Sequence, residues 1–220
     1  MPEAAILPFV LRRRASQLAP TGVALVLPLK RVTQAVPPRP DSLAHCVAWL
    51  QEDPAVLAGR AMAVRSLRRL ESDLFSGSDG MVGLHRIWRE SVATACIARL
   101  LSWRLGMDAG LLVAAGLLHR LGDVWPSRQL AASWALTPAV TQVLEHWRHS
   151  LDGLEPGPVV MTPARAVHLA HLFAVEQLYG EYCTPGILEG AARELGVPAQ
   201  VITAVRAEAA GIDPLLEQLA

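Results

Sequence analysis

Lysine is nearly absent from this chain: Lys30 is the only one among 20 basic side chains, and 20 acidic residues offset them. A protein that grips nucleic acid mainly through phosphate contacts needs a positive surplus, and none exists here. The small clusters Arg12, Arg13, Arg14 and Arg65, Arg68, Arg69 therefore read as solvated faces. Cysteine is also scarce. Cys46, Cys96 and Cys183 are odd in number, lack C-x-x-C spacing and sit among apolar helix formers, the pattern of buried reduced thiols. No apolar run approaches the ~20 residues that span a bilayer, and the longest, Gly110 to Leu118, suits a buried helix. Glu3 precedes the apolar stretch Ile6 to Leu11 and the arginines follow it, the reverse of a secretory leader. A cytoplasmic protein without membrane insertion is expected. Also missing are a glycine-rich phosphate loop, a G-x-S-x-G elbow and a Cys/His nucleophile pattern.

What is present is apolar and helical. The 220 residues are 52% apolar and 18% charged, enough to bury a substantial core. Helix starts are written as a capping side chain before proline: Asp53-Pro54, Thr137-Pro138, Thr162-Pro163, Thr184-Pro185 and Asp213-Pro214. The Asp or Thr oxygen accepts from free first-turn N–H groups, and proline tolerates the first helical position. Asp41 and Asp108 are further caps, and Val197-Pro198 is a start without a capping side chain. Three- and four-residue apolar steps run from Leu84 to Leu101, and amphipathic helices are read over Leu136 to Trp147 and Pro163 to Leu178. Ala109 to His119 is apolar nearly all round, as for a central helix. Gly106, Gly122, Gly153, Gly180 and Gly196 supply stops.

The amino-terminal part differs. Val23 to Leu29 is short and extended, and Val36-Pro37-Pro38-Arg39-Pro40 excludes helix. The expected organisation is an irregular arm over 1–40 and an all-α domain over 41–220. The segment Ser76 to Gly83 reads as a flexible joint between a small lobe, 41–78, and a larger one, 79–220.

Ile87-Trp88-Arg89-Glu90-Ser91-Val92-Ala93-Thr94-Ala95 is similar to the W-x-H-S-x-x-x-A helix of the HDOD family, the non-catalytic relatives of HD-domain phosphohydrolases found in bacterial signalling. Gly116-Leu117-Leu118-His119-Arg120-Leu121-Gly122 resembles the G-L-L-H-D-[IL]-G signature, the most specific element. Trp134-Ala135-Leu136-Thr137-Pro138, running to His146, looks like the W-x-L-P helix, and Ala166-Val167-His168-Leu169-Ala170-His171 falls where the family has V-x-L-A-D. Glu52 to Arg60 resembles the D-P-A-L-x-x-[RK] helix of the amino-terminal lobe. The resemblance spans about Pro37 to Tyr179 and implies an HD-like helical bundle.

It also implies a lost metal centre. Catalytic HD domains gather an H…HD…D set around divalent ions that activate water. Carried over by motif, those positions are Glu90, His119, Arg120 and His171, so one of the four is kept. A guanidinium has no lone pair to offer a metal. At ~4 Å it repels a dication by about 8 kcal/mol at an effective dielectric near 20. Two arrangements are open: Arg120 pairs with Glu90 inside the bundle, or it faces solvent. An outward swing would leave Glu90, His119, Asp123, His146 and His171 as an unorthodox polar site. His146 with His149, and His168 with His171, have one-face helical spacing. Trp125, beside Pro126, is the candidate interface anchor among the six tryptophans, with Trp88 and Trp134 assigned to the core.

The leading expectation is a non-enzymatic signalling module that docks on partner proteins, with no catalytic residue, metal or cofactor, and with homo-oligomers open. The alternative is a metal-dependent HD-type phosphohydrolase with an altered ligand set. A nucleotide-sensing pseudo-enzyme ranks third.

Overall fold

The computed structural model describes residues 78–120, 136–152, 159–180, 184–212 and 216, and every described element is a helix or a turn. The arm (1–40), the amino-terminal lobe as far as residue 77, Asp123, Trp125 and Trp134 lie outside the described residues. Six α-helices follow in order: α1 Ser78–Leu105, α2 Ala109–Leu118, α3 Pro138–His146, α4 Pro163–Tyr179, α5 Ile187–Glu194 and α6 Ala199–Ala209. A 3₁₀ turn, Trp147–His149, extends α3.

The local signals work as elementary chemistry says they should. Asp108 accepts from Leu111 N–H at 2.9 Å, Thr137 from Val140 N–H at 3.4 Å, and Thr162 from Arg165 N–H at 3.3 Å. Each satisfies a first-turn donor that the helix itself leaves unpaired. Pro198 opens α6 with no side-chain cap. Gly106 takes φ 63° after α1, and Met107 N–H reaches back to the Ser102 carbonyl at 2.8 Å. That left-handed stop turns α2 back onto α1.

Two expectations need correction. Residues 78–83 of the supposed joint are the first turns of α1, a 28-residue helix. Glycines there each cost about 1 kcal/mol against alanine, and the burial of the same helix further along outweighs that. Thr184-Pro185 does not cap a helix directly. Gly186 adopts φ 82°, the Thr184 carbonyl accepts from Ile187 N–H at 3.4 Å, and α5 starts only at Ile187.

The core is built around α1 as much as α2. Every residue from Glu90 to Ser102 is buried, a wider face than the apolar stripe suggests. Arg99, 1% exposed, is the largest of the fully buried side chains. α1 packs chiefly against α2 and α4, and α4 also meets α2, α3, α5 and α6. Small residues let the axes approach. A Cβ on Gly116 would lie 2.9 Å from Ala95 Cα and 3.1 Å from Ala95 N, so only glycine fits that crossing. Cys96 is a buried thiol outside any disulfide, as expected, whereas Cys46 and Cys183 lie outside the described residues.

Candidate functional site: a histidine pair beside a buried ion pair

His119 follows the last residue of α2, where the chain leaves the helix deep in the core, and it is fully buried. Its Nδ1 lies 2.6 Å from the Gly116 carbonyl. A carbonyl only accepts, so Nδ1 carries the proton and Nε2 offers a lone pair. That lone pair is met by His171 Nδ1 at 3.1 Å, which therefore donates. The pair runs in one direction, from α4 through both rings to the Gly116 carbonyl. The glycine thus serves twice: it permits the α1–α2 contact and supplies the acceptor that orients His119.

Trp147 closes this pocket. Its ring is edge-on to His119 at 4.7 Å and to His171 at 5.1 Å, with His168 at 6.0 Å. His168 Nδ1 donates to the Trp147 carbonyl at 2.7 Å, and Ser150 Oγ donates to the same oxygen at 2.8 Å. Burial in this apolar setting disfavours imidazolium. Burial first, then the positive charges of Arg120 and Arg148, push His119 down to about 3. His171 falls to about 2, again chiefly by burial, with His119, Arg120 and Arg148 adding to it. His168 is lowered by burial, against the opposing hydrogen bond to Trp147. All three rings are neutral at physiological pH.

The second half of the site is ionic. Glu90 is buried in α1, with Oε1 held by Arg86 Nε at 2.9 Å and Oε2 lying 3.3 Å from Arg120 Nε. The Glu90 side chain is 3% exposed, Arg120 24% and Arg86 61%. Glu90 strengthens the charged form of Arg86, raising its pKa. The Arg86 guanidinium stacks 4.6 Å over Tyr179 at the end of α4. Burial first, then Glu90, raises the Tyr179 phenol.

The structure therefore brings Glu90, His119, Arg120 and His171 together as two linked pairs. Of the open alternatives for Arg120, it shows the pair with Glu90. His146 ends α3 with its side chain exposed, apart from the buried rings, and His149 turns to Asp152 at 2.7 Å. Spacing alone did not separate His168 and His171, which converge on Trp147, from His146 and His149, which do not. Arg86, Trp147 and Tyr179 were missed. Arg86 had a signal, its four-residue spacing from Glu90; Trp147 and Tyr179 had none beyond being aromatic.

A divalent cation does not fit this arrangement. Glu90 Oε1 accepts a hydrogen bond from Arg86, Oε2 lies at ion-pair distance from Arg120, the His119 lone pair is satisfied by His171, and Arg120 brings positive charge. Among the described residues no three His, Cys, Asp or Glu side chains are grouped to hold a metal ion.

Together these features define an all-helical domain whose polar centre is a neutral histidine pair flanked by an arginine-bound carboxylate. The family model described as the HDOD domain matches residues 67–143, which include Glu90, His119 and Arg120, and supports an HDOD domain over that part of the chain. His171 lies beyond the match, and its place beside His119 comes from the hydrogen bond. Comparison with curated proteins and with solved structures yields no match to this chain. None of the described helices is long and apolar enough to cross a membrane.

Proposed function

We propose that this protein is a non-catalytic regulatory module that acts in bacterial signal transduction by docking on partner proteins in the cytoplasm. The observation that carries the reading is the Glu90–Arg120 contact at 3.3 Å. Where a hydrolase of this architecture needs ligands for divalent ions, two side chains neutralise each other and two imidazoles bond to one another. A buried centre organised this way stabilises a scaffold and leaves activity to its outer surface. The HDOD match supports the same reading at the level of family.

Two measurements test it. Elemental analysis of the purified full chain, with phosphodiesterase and nucleotidase assays in Mn²⁺ and Mg²⁺, should find substoichiometric metal and no turnover. Stoichiometric metal with turnover would replace the proposal with an HD-type hydrolase of altered ligand set. Affinity capture on the immobilised full chain should retain a defined protein at a fixed ratio.

A further inference from the structure

A cleft of about 570 Å³ opens where the end of α4 meets the start of α5. Leu172 and Glu176 of α4, Pro185 in the turn, Ile187 and Glu189 of α5, and Arg206 of α6 line it. Leu172 packs against the core from behind. Gly186, at φ 82°, starts α5 at Ile187, which is left 49% exposed. A lone isoleucine on a surface needs no explanation; one on the lip of an apolar cleft beside unbalanced charge does.

The polar wall of the cleft is acidic. Arg206 holds both oxygens of Glu176, at 2.7 and 3.2 Å, but meets Glu189 only at Oε1, at 2.5 Å. One guanidinium thus faces two carboxylates, and the positive end of α5 returns only about half a charge. A carboxylate offers about four lone-pair positions. Glu189, with its side chain 46% exposed, keeps acceptor sites beyond those taken by Arg206 and its own N–H. An acidic or phosphorylated ligand is repelled by such a wall, whereas a basic one restores the balance. An aliphatic neighbour fills the apolar side and keeps water from the ion contact. Resting on the docking reading above, we propose that this cleft is the surface that takes the partner protein. The partner's segment seats one aliphatic side chain against Leu172 and Ile187 and sets a lysine or arginine beside Glu189.

The probes are seven-residue peptides titrated into the full chain at fixed ionic strength and followed by NMR. One has a central leucine flanked by lysines, a second the same leucine flanked by glutamates, and a third the lysines with serine for leucine. The first should give saturable shifts centred on Leu172, Ile187 and Glu189, and the other two should bind at least about tenfold more weakly. Ile187→Ser and Glu189→Gln alter exposed side chains, so the fold should survive. Affinity for the first peptide should fall about tenfold in Ile187→Ser and about threefold in Glu189→Gln. Val160→Ser, exposed outside the cleft, is the control and should bind as the wild type does. No saturation, equal affinity for the lysine and glutamate peptides, or shifts centred elsewhere would overturn the site. A partner protein captured at a fixed ratio, and retained undiminished by Ile187→Ser, would keep the docking reading and overturn this cleft as its surface.

Discussion

Among the described residues, two arginine–glutamate knots differ in stoichiometry and in surroundings. In the core, one carboxylate, Glu90, serves two arginines. At the edge, one arginine, Arg206 of α6, serves two carboxylates, Glu176 of α4 at 2.7 Å and Glu189 of α5 at 2.5 Å. The edge knot has the shorter contacts, yet its three side chains are between about a quarter and a half exposed. Water screens it, and pairs of this kind contribute about 0–1 kcal/mol. The core knot has longer contacts, but Glu90 cannot recover its hydration if a partner is lost. Burial, more than distance, decides which knot the fold depends on.

Acid should separate the two regions most strongly. His119 and His171 titrate in the fold at about 3 and about 2, below the usual ~6.5 of an unfolded chain. Below that value the unfolded state binds more protons, so stability is complete above about pH 6.5 and declines as the pH falls. Each histidine contributes up to about 1.4 kcal/mol per pH unit. Urea midpoints measured from pH 6.5 to 5, above the carboxylate range, should drop steeply, and His171→Leu should make the slope shallower, with His119 and His168 still contributing. A flat profile would place both rings in water.

Next in size is Glu90→Gln, which leaves two guanidiniums facing each other over a buried amide. Breaking a fully buried pair costs about 3–5 kcal/mol; partial exposure of both arginines lowers the expectation to about 2–3 kcal/mol by urea denaturation. Gly116→Ala comes third. Its new Cβ meets Ala95 backbone at 2.9 Å, so the helices must part. Overpacking of this sort costs about 1–3 kcal/mol, and the His119 ring resonances should shift with it. The smallest effect belongs to the edge knot. Glu189→Gln should change stability by less than about 0.5 kcal/mol, and less still in high salt. A loss as large as that of Glu90→Gln would erase the contrast between the knots.

The same contrast explains what the sequence could disclose. Capping at Asp108, Thr137 and Thr162 depends on neighbours within three residues, so it was legible before any coordinates. Gly186 defeated that rule at Thr184 because a left-handed glycine delays the helix. The length of α1 was hidden by glycines at its start, which local propensity penalises and tertiary burial overrides. At the site, the motif positions of Glu90, His119, Arg120 and His171 were readable. Whether Arg120 turned inward was not, since that depends on a carboxylate 30 residues earlier in the chain. Arg99 shows the limit most plainly: its charge marks a surface residue, yet it lies in the core.

A double-mutant cycle on Glu90→Gln and Arg120→Met, followed by urea denaturation, addresses the central contact directly. If the guanidinium has taken the place of a metal in tying α1 to the end of α2, the two changes should couple by at least about 1.5 kcal/mol. Additivity within about 0.5 kcal/mol would mean that the arginine lies against Glu90 without holding it.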